Sequence, residues 1–378
     1  MSMKFQIVLA TTLALVDQFQ STLSSPQPNP GPTAGEKDKE LDPLPLLSGA
    51  STALKSHVTK LSLLTITSPF THSAVATTLS TLNESVLPSL VTATLLITPE
   101  SHTKAFQGEI RVLAGTTLKE LSFLVKEVQA IAEGKADKKS LEQSEKDTVT
   151  AVAGRVWDAC DVLVDFAAKG VIGFVVRRAE EYRDLVRDAV EEIEGWDPDE
   201  EGDEFFDGLL GDDGEGPTAA DKSGVNGKTD EDDDDDEESS TVLLARKKEA
   251  LRILKPIAQI YPAIISNRLK KAPAPLAPFN VRTLESLIIS LQQIPDHIDE
   301  VAGALYDADF DQYARHLGKA KGCASKAIEL VVLPWSPEQA SDNQKNAGDK
   351  FTAWSKTWTR VVEEVSKSID ESANMKSG

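Results

Sequence analysis

Apolar residues return along this chain at steps of three and four, the spacing of one face of an α-helix. Phe106, Ile110, Leu113, Thr117, Leu121, Leu124, Val128 and Ile131 make one such stripe. Val75, Leu79, Leu82, Val86, Leu90, Ala93 and Ile97 make another, with Pro88 expected to kink it. A third, from Val149 through Val152, Val156, Ala159 and Leu163 to Phe166, breaks at Gly170 and resumes from Val171 to Ile193. The second half repeats the pattern. Leu251, Leu254, Ala258, Tyr261 and Ile265 are followed by Leu284, Leu287, Leu291, Ile294, Ile298, Val301 and Leu305. Then come Phe310, Ala314, Leu317, Ala324, Ile328 and Val331, and last Phe351, Trp354, Trp358, Val361, Val365 and Ile369. Alternating strand patterns bounded by hairpin dipeptides are absent.

Start signals sit beside these stripes. Thr98-Pro99-Glu100 offers an N-cap, a proline at the first helical position and an early acid. Ser68-Pro69 opens a turn or a helix, and Ser144 with Asp147 has the spacing of a capping box. Helices of roughly 25 residues, about 38 Å at 1.5 Å per residue, suit up-down antiparallel packing. The expectation is an all-α protein of two antiparallel helical bundles, with five or six helices in the first and about four in the second. At the N-terminus, Lys4 and the apolar Ile7 to Val16 resemble the start of a signal peptide. No Ala-x-Ala-like cleavage site follows, however, and Phe5, Leu9, Leu13, Val16, Phe19 and Leu23 share one helical face. A first bundle helix is the favoured reading, joined to the next by the Pro/Gly-rich stretch 26–35. No apolar run reaches the ~18 residues of a membrane span, so a soluble intracellular protein is expected.

Charge then locates the divide. The chain has 378 residues, with 61 Asp plus Glu against 40 Lys plus Arg, a formal net of -21. Residues 197–238 hold 20 acids and two lysines, a local net of -18, which leaves -3 for everything else. So dense a run of like charge, rich in glycine, reads as a disordered linker with at most a helical turn at Phe205, Phe206, Leu209 and Leu210. Three regions follow: 1–196 and 241–378 as bundles, and 197–240 as the acidic linker between them. The acidity also makes nucleic acid a poor direct partner.

Candidate chemistry is sparse. His57, His72, His102, His297 and His316 form no His-x-x-x-His or Glu-x-x-His pair, and read as surface residues, with His57 half-buried in its helix. Cys160 and Cys323 lie in amphipathic helices and read as small buried hydrophobes. Gly227-Lys228-Thr229 resembles the end of a phosphate loop, but Lys222 stands where its first glycine belongs. Asp197-x-Asp199-x-Glu201-Gly202 begins like a calcium loop, yet its twelfth position is Gly208. No catalytic residue, cofactor site or metal site is therefore expected, and the chain does not read as an enzyme. The clusters Arg246-Lys247-Lys248 and Arg268-Lys270-Lys271 read as solvated helix faces. Thr229, followed by Asp230, Glu231 and Asp232, is the setting acidophilic kinases prefer and is a candidate phosphorylation site. Phe351, Trp354 and Trp358 are a candidate partner contact, because Trp is enriched at interface hot spots, although a Trp stripe is also a common core feature.

Several segments resemble the cyclin-D-binding protein family (GCIP, also described as Id-like helix-loop-helix proteins). They are Leu46-Leu47-Ser48 to Leu64 with its Ala-Leu-Lys-Ser-His-Val-Thr-Lys centre, Thr81 to Leu90, and Val156-Trp157-Asp158-Ala159-Cys160-Asp161. Leu254 to Ile265 and Ile294 to Leu305 complete the set, so the resemblance covers most of 40–196 and 245–370. It implies a helical bundle related to vinculin, catenin and talin. It also implies a non-enzymatic protein that binds cyclins or helix-loop-helix-type regulators, restrains cell-cycle progression or transcription, and resides in cytoplasm and nucleus. The alternative is a cytoskeletal or adhesion scaffold sharing only the bundle, which actin co-sedimentation would favour. Without a basic region before a helix pair, direct DNA reading is not expected.

Overall fold

The computed structural model describes residues 3–25, 42–134, 141–198, 233–273, 276–335 and 349–376. Among these residues every regular element is helical. The fold is all-α, as the periodicity predicts. Thr229, the turn at Phe205 to Leu210, the Gly227-Lys228-Thr229 motif and most of the acidic segment lie outside the described residues.

By packing, the chain groups into two compact units: Met1–Val176 with Ala274–Glu285, and Arg177–Pro273 with Ser286–Gly378. The first unit holds α1 (Met3–Ser24), α2 (Pro43–Ile66), α3 (His72–Thr81), α4 (Leu87–Leu96), the single turn α5 (Pro99–His102) and α6 (Lys104–Gly134). It also takes the start of α7 (Gln143–Gly195). α1 lies against α6 and α3, and α2 against α4 and α3. Phe5, Leu9, Val16 and Leu23 of α1 are buried, so the first apolar stretch is a packed helix of this unit. Phe106, Phe166 and Phe174 meet with ring centroids 5.6–6.1 Å apart at its centre.

Pro88 acts differently from a simple kink. With no N–H at 88, the helix cannot close its i→i+4 bond to Glu84, and Leu82–Val86 winds instead as one π turn with Leu87 N–H donating to the Leu82 carbonyl. The extra residue keeps Leu82, Val86, Leu87 and Leu90 all buried. The start signals are displaced as well. Thr98-Pro99 begins only the four-residue α5. The long α6 is capped by Thr103, whose Oγ1 accepts from Phe106 N–H at 3.2 Å, and by Glu285, whose Oε2 accepts from Lys104 N–H at 2.7 Å. At α7 the reciprocal bond comes from Glu145, which accepts Glu142 N–H at 2.8 Å, rather than from Ser144 and Asp147. Gly170 breaks α7 at φ 59°, ψ -164°, a conformation that only glycine adopts without strain.

The second unit holds α7 from Arg177 onward, α8 (Asp233–Ala258), α9 (Ile260–Asn267), a 3-10 turn (Leu269–Lys271), most of α10 (Pro278–Tyr306), α11 (Phe310–Val331) and α12 (Lys350–Lys376). α8 is helical from Asp233, so it starts inside the segment 197–240 that composition assigns to the linker. The single stripe expected from Leu251 to Ile265 divides at Gln259. Pro262 has no N–H for the Ala258 carbonyl, and α9 restarts with that proline in its first turn. The α10 stripe from Leu284 to Leu305 is buried throughout. The α11 stripe is shifted: Tyr313 is buried at 1% exposure, whereas Ala314 faces outward.

Candidate interaction surfaces

The aromatic group at the start of α12 is set by an arginine. Arg268, 4% exposed, follows α9 and reaches the ends of two other helices. Its Nε donates to the Val331 carbonyl at 2.5 Å, and Nη2 donates to the Val332 carbonyl at 2.8 Å. Nη1 and Nη2 hold the two Asp349 oxygens at 2.6 and 3.0 Å. Asp349 is in turn the N-cap of α12, accepting Thr352 N–H at 2.9 Å. The guanidinium lies 4.3 Å from the centre of the Phe351 ring. The Arg268 hydrogen bonds hold the Asp349 carboxyl well below the usual carboxylate range, aided by the Thr352 N–H and against the effect of its own burial. Arg268, taken from sequence as part of a solvated basic cluster, is instead buried and fully engaged, because its partners lie 63 to 81 residues further along.

This arrangement places the sequence candidates. Phe351 is 1% exposed and Trp358 is 5% exposed, while Trp354 is half-buried with its ring 5.4 Å from Phe351. Trp358 Nε1 donates to the Pro256 carbonyl at 2.8 Å, at the break between α8 and α9. Two of the three aromatics thus serve internal packing, and Trp354 keeps partial access to solvent. The inner face of α12 runs Phe351, Ser355, Trp358 and Val362, with Val361 outside at 39% exposure. That is one position from the face expected.

The remaining titratable groups are poorly suited to chemistry. Burial is the main cause pushing the Cys160 thiol up to about 12, with Asp161 adding to it, and Cys323 is raised by burial too. The five histidines are half-buried rather than free on the surface. His102 stacks on Phe106 at 5.9 Å, and His297 meets His316 at 5.5 Å, its pKa lowered by burial and then by its neighbour. Among the described residues no cluster of His, Cys, Asp or Glu could hold a metal ion, and no helix is long and apolar enough to cross a membrane.

What the helices do offer is exposed apolar surface. Val112 (65%), Leu63 (55%) and Phe123 (37%) stand out on the first unit. On the second, Leu244 (41%) lies on α8 among Lys247, Lys248, Leu251, Arg252 and Lys255, which line a shallow groove of about 550 Å³. The periodicity assigned Leu251 to the inner stripe. The buried face of α8 is Ala250, Ile253, Leu254 and Ile257, which leaves Leu251 half-buried on the outer edge.

No curated protein matches the chain. The family model described as "Grap2 and cyclin-D-interacting, N-terminal" matches residues 46–199, a span that contains the Leu46 to Leu64, Thr81 to Leu90 and Val156 to Asp161 segments. Over residues 46–199 the chain is similar to the N-terminal region of a GCIP-like family.

Proposed function

We propose that this protein is a non-enzymatic interaction regulator that binds cyclin or helix-loop-helix-type regulators through its helices. In this role it restrains cell-cycle progression or transcription in the cytoplasm and nucleus. The observation that carries the reading is the match of residues 46–199 to a cyclin-D-interacting family. Supporting it, the buried Cys160 thiol is held protonated and the exposed apolar side chains sit on helix faces suited to helix-in-groove recognition. The acidic net charge of -21 supports recognition of proteins rather than of nucleic acid directly.

The test is direct binding of the purified full chain to a purified D-type cyclin and to a helix-loop-helix dimerisation domain, read by calorimetry. Saturable binding to either supports the proposal. Failure with both, together with co-sedimentation on actin filaments, replaces it with the scaffold reading.

A further inference from the structure

α8 has two opposed faces, and only one is explained by the core. Ala250, Ile253, Leu254 and Ile257 are buried. On the opposite side Leu244, Lys248, Leu251, Arg252 and Lys255 fall within one stripe about 100° wide, since steps of four, seven, eight and eleven residues turn by about 40°, −20°, 80° and 20° at 3.6 residues per turn. Leu244 and Leu251 stand one heptad apart on this face. Lys255 pairs with Glu194 at 2.6 Å, and Lys247 donates to the Trp196 carbonyl. Lys248 and Arg252 make no hydrogen bond or ion pair among the described residues. The groove therefore has an apolar floor rimmed by unspent positive charge, on a chain whose net charge is -21.

We propose that this face of α8 docks an acidic amphipathic helix of a partner protein, with apolar residues at heptad spacing against Leu244 and Leu251 and carboxylates against Lys248 and Arg252. The inference rests on the regulator reading above and adds a site and a partner chemistry to it. Charge complementarity selects an acidic ligand, and the leucines select an amphipathic one. A nucleic acid would neutralise the charges but leave the leucines uncovered.

The probe is a fluorescein-labelled helical peptide with leucines at heptad spacing between glutamates, titrated with the full chain and read by anisotropy. Saturable binding is expected, weakened about tenfold or more by Lys248→Glu with Arg252→Glu, and again by Leu244→Asp. It should be unchanged by Lys60→Glu on the other unit, and lost when the peptide's leucines become glutamines. Circular dichroism of each variant checks folding, and the milder Lys248→Gln with Arg252→Gln pair repeats the test without added repulsion. Equal binding by wild type and both double variants overturns the proposal, as does a duplex oligonucleotide bound through the same two residues. Peptide binding that emerges only when Asp203, Glu204, Asp207, Asp212 and Asp213 are replaced by their amides also overturns it, by giving the groove to the chain's own acidic segment. Cyclin binding that survives the charge reversals while peptide binding is lost supports this groove for its acidic ligand and seats the cyclin elsewhere. Cyclin binding without any peptide binding overturns the groove and leaves the regulator reading standing.

Discussion

Arg268 holds a full positive charge at 4% exposure, and its hydrogen bonds join the ends of α9, α11 and α12. Removing one partner of such a pair strands the others. Arg268→Ala leaves two helix-end carbonyls without their donor and Asp349 without its counter-charge. We expect about 3 kcal/mol of destabilisation, the lower end for a broken buried pair because Asp349 keeps 30% side-chain exposure. Urea unfolding monitored by tryptophan fluorescence measures it, and a loss under about 1 kcal/mol would show that water replaces the guanidinium. The same pair gives a pH dependence with a definite sign. The Asp349 carboxyl is held low in the folded protein, so its contribution is complete above the ordinary Asp value of about 4 and fades as pH falls from there through the lowered folded value. The stability gap between wild type and Asp349→Asn should be constant from pH 7 to about 5 and narrow in more acid solution. A gap that widens below pH 4 would contradict the assignment.

Proline inside a helix is where local sequence and tertiary contact meet most clearly. Pro295 lies within α10 and removes the N–H that the Leu291 carbonyl would accept. The structure fills the vacancy from another helix: Tyr261 of α9 is fully buried and its hydroxyl donates to the Leu291 carbonyl at 2.9 Å. Tyr261→Phe should cost about 1–3 kcal/mol, the penalty of an unsatisfied buried acceptor. In a Pro295→Ala background the helix regains its own donor, so the same change should cost clearly less. A double-mutant cycle that is additive within about 0.5 kcal/mol would refute the exchange. The legibility of each element follows the same logic. The α10 stripe was readable because one uninterrupted apolar face fills it, from Leu284 to Leu305. On α12 Ser355 occupies an inner position at 2% exposure, so a hydrophobic count rotates the face toward Trp354 and Val361. Arg268 was unreadable because its role is set by Val331 and Asp349, far along the chain. The outer face of α8 was half legible: its basic residues stood out, while Leu251 matched the inner stripe as well as the outer one.

At the scale of the whole chain, each packed unit carries one of the two cysteines, and their environments differ enough to report on the units separately. Cys160 is fully buried in the first unit, its thiol pushed up to about 12 chiefly by burial. Cys323 lies half-buried in the second, its thiol raised by burial with Lys326 opposing it. A thiolate is the species that attacks an aromatic disulfide reagent, so two factors, access and ionisation, both slow Cys160. In native buffer at pH 8 we expect one thiol to react within minutes and the other only through opening of its surroundings, with rates at least about a hundredfold apart. Peptide mapping after brief labelling should find the modification on Cys323. Denaturant should bring both to the same rate, because the difference belongs to the fold and not to the flanking residues. Fast labelling of Cys160 in the native chain would mean that α7 opens locally around Val156 and Leu163, both fully buried in the structure, and would move the first unit from a fixed scaffold to one that rearranges when it binds.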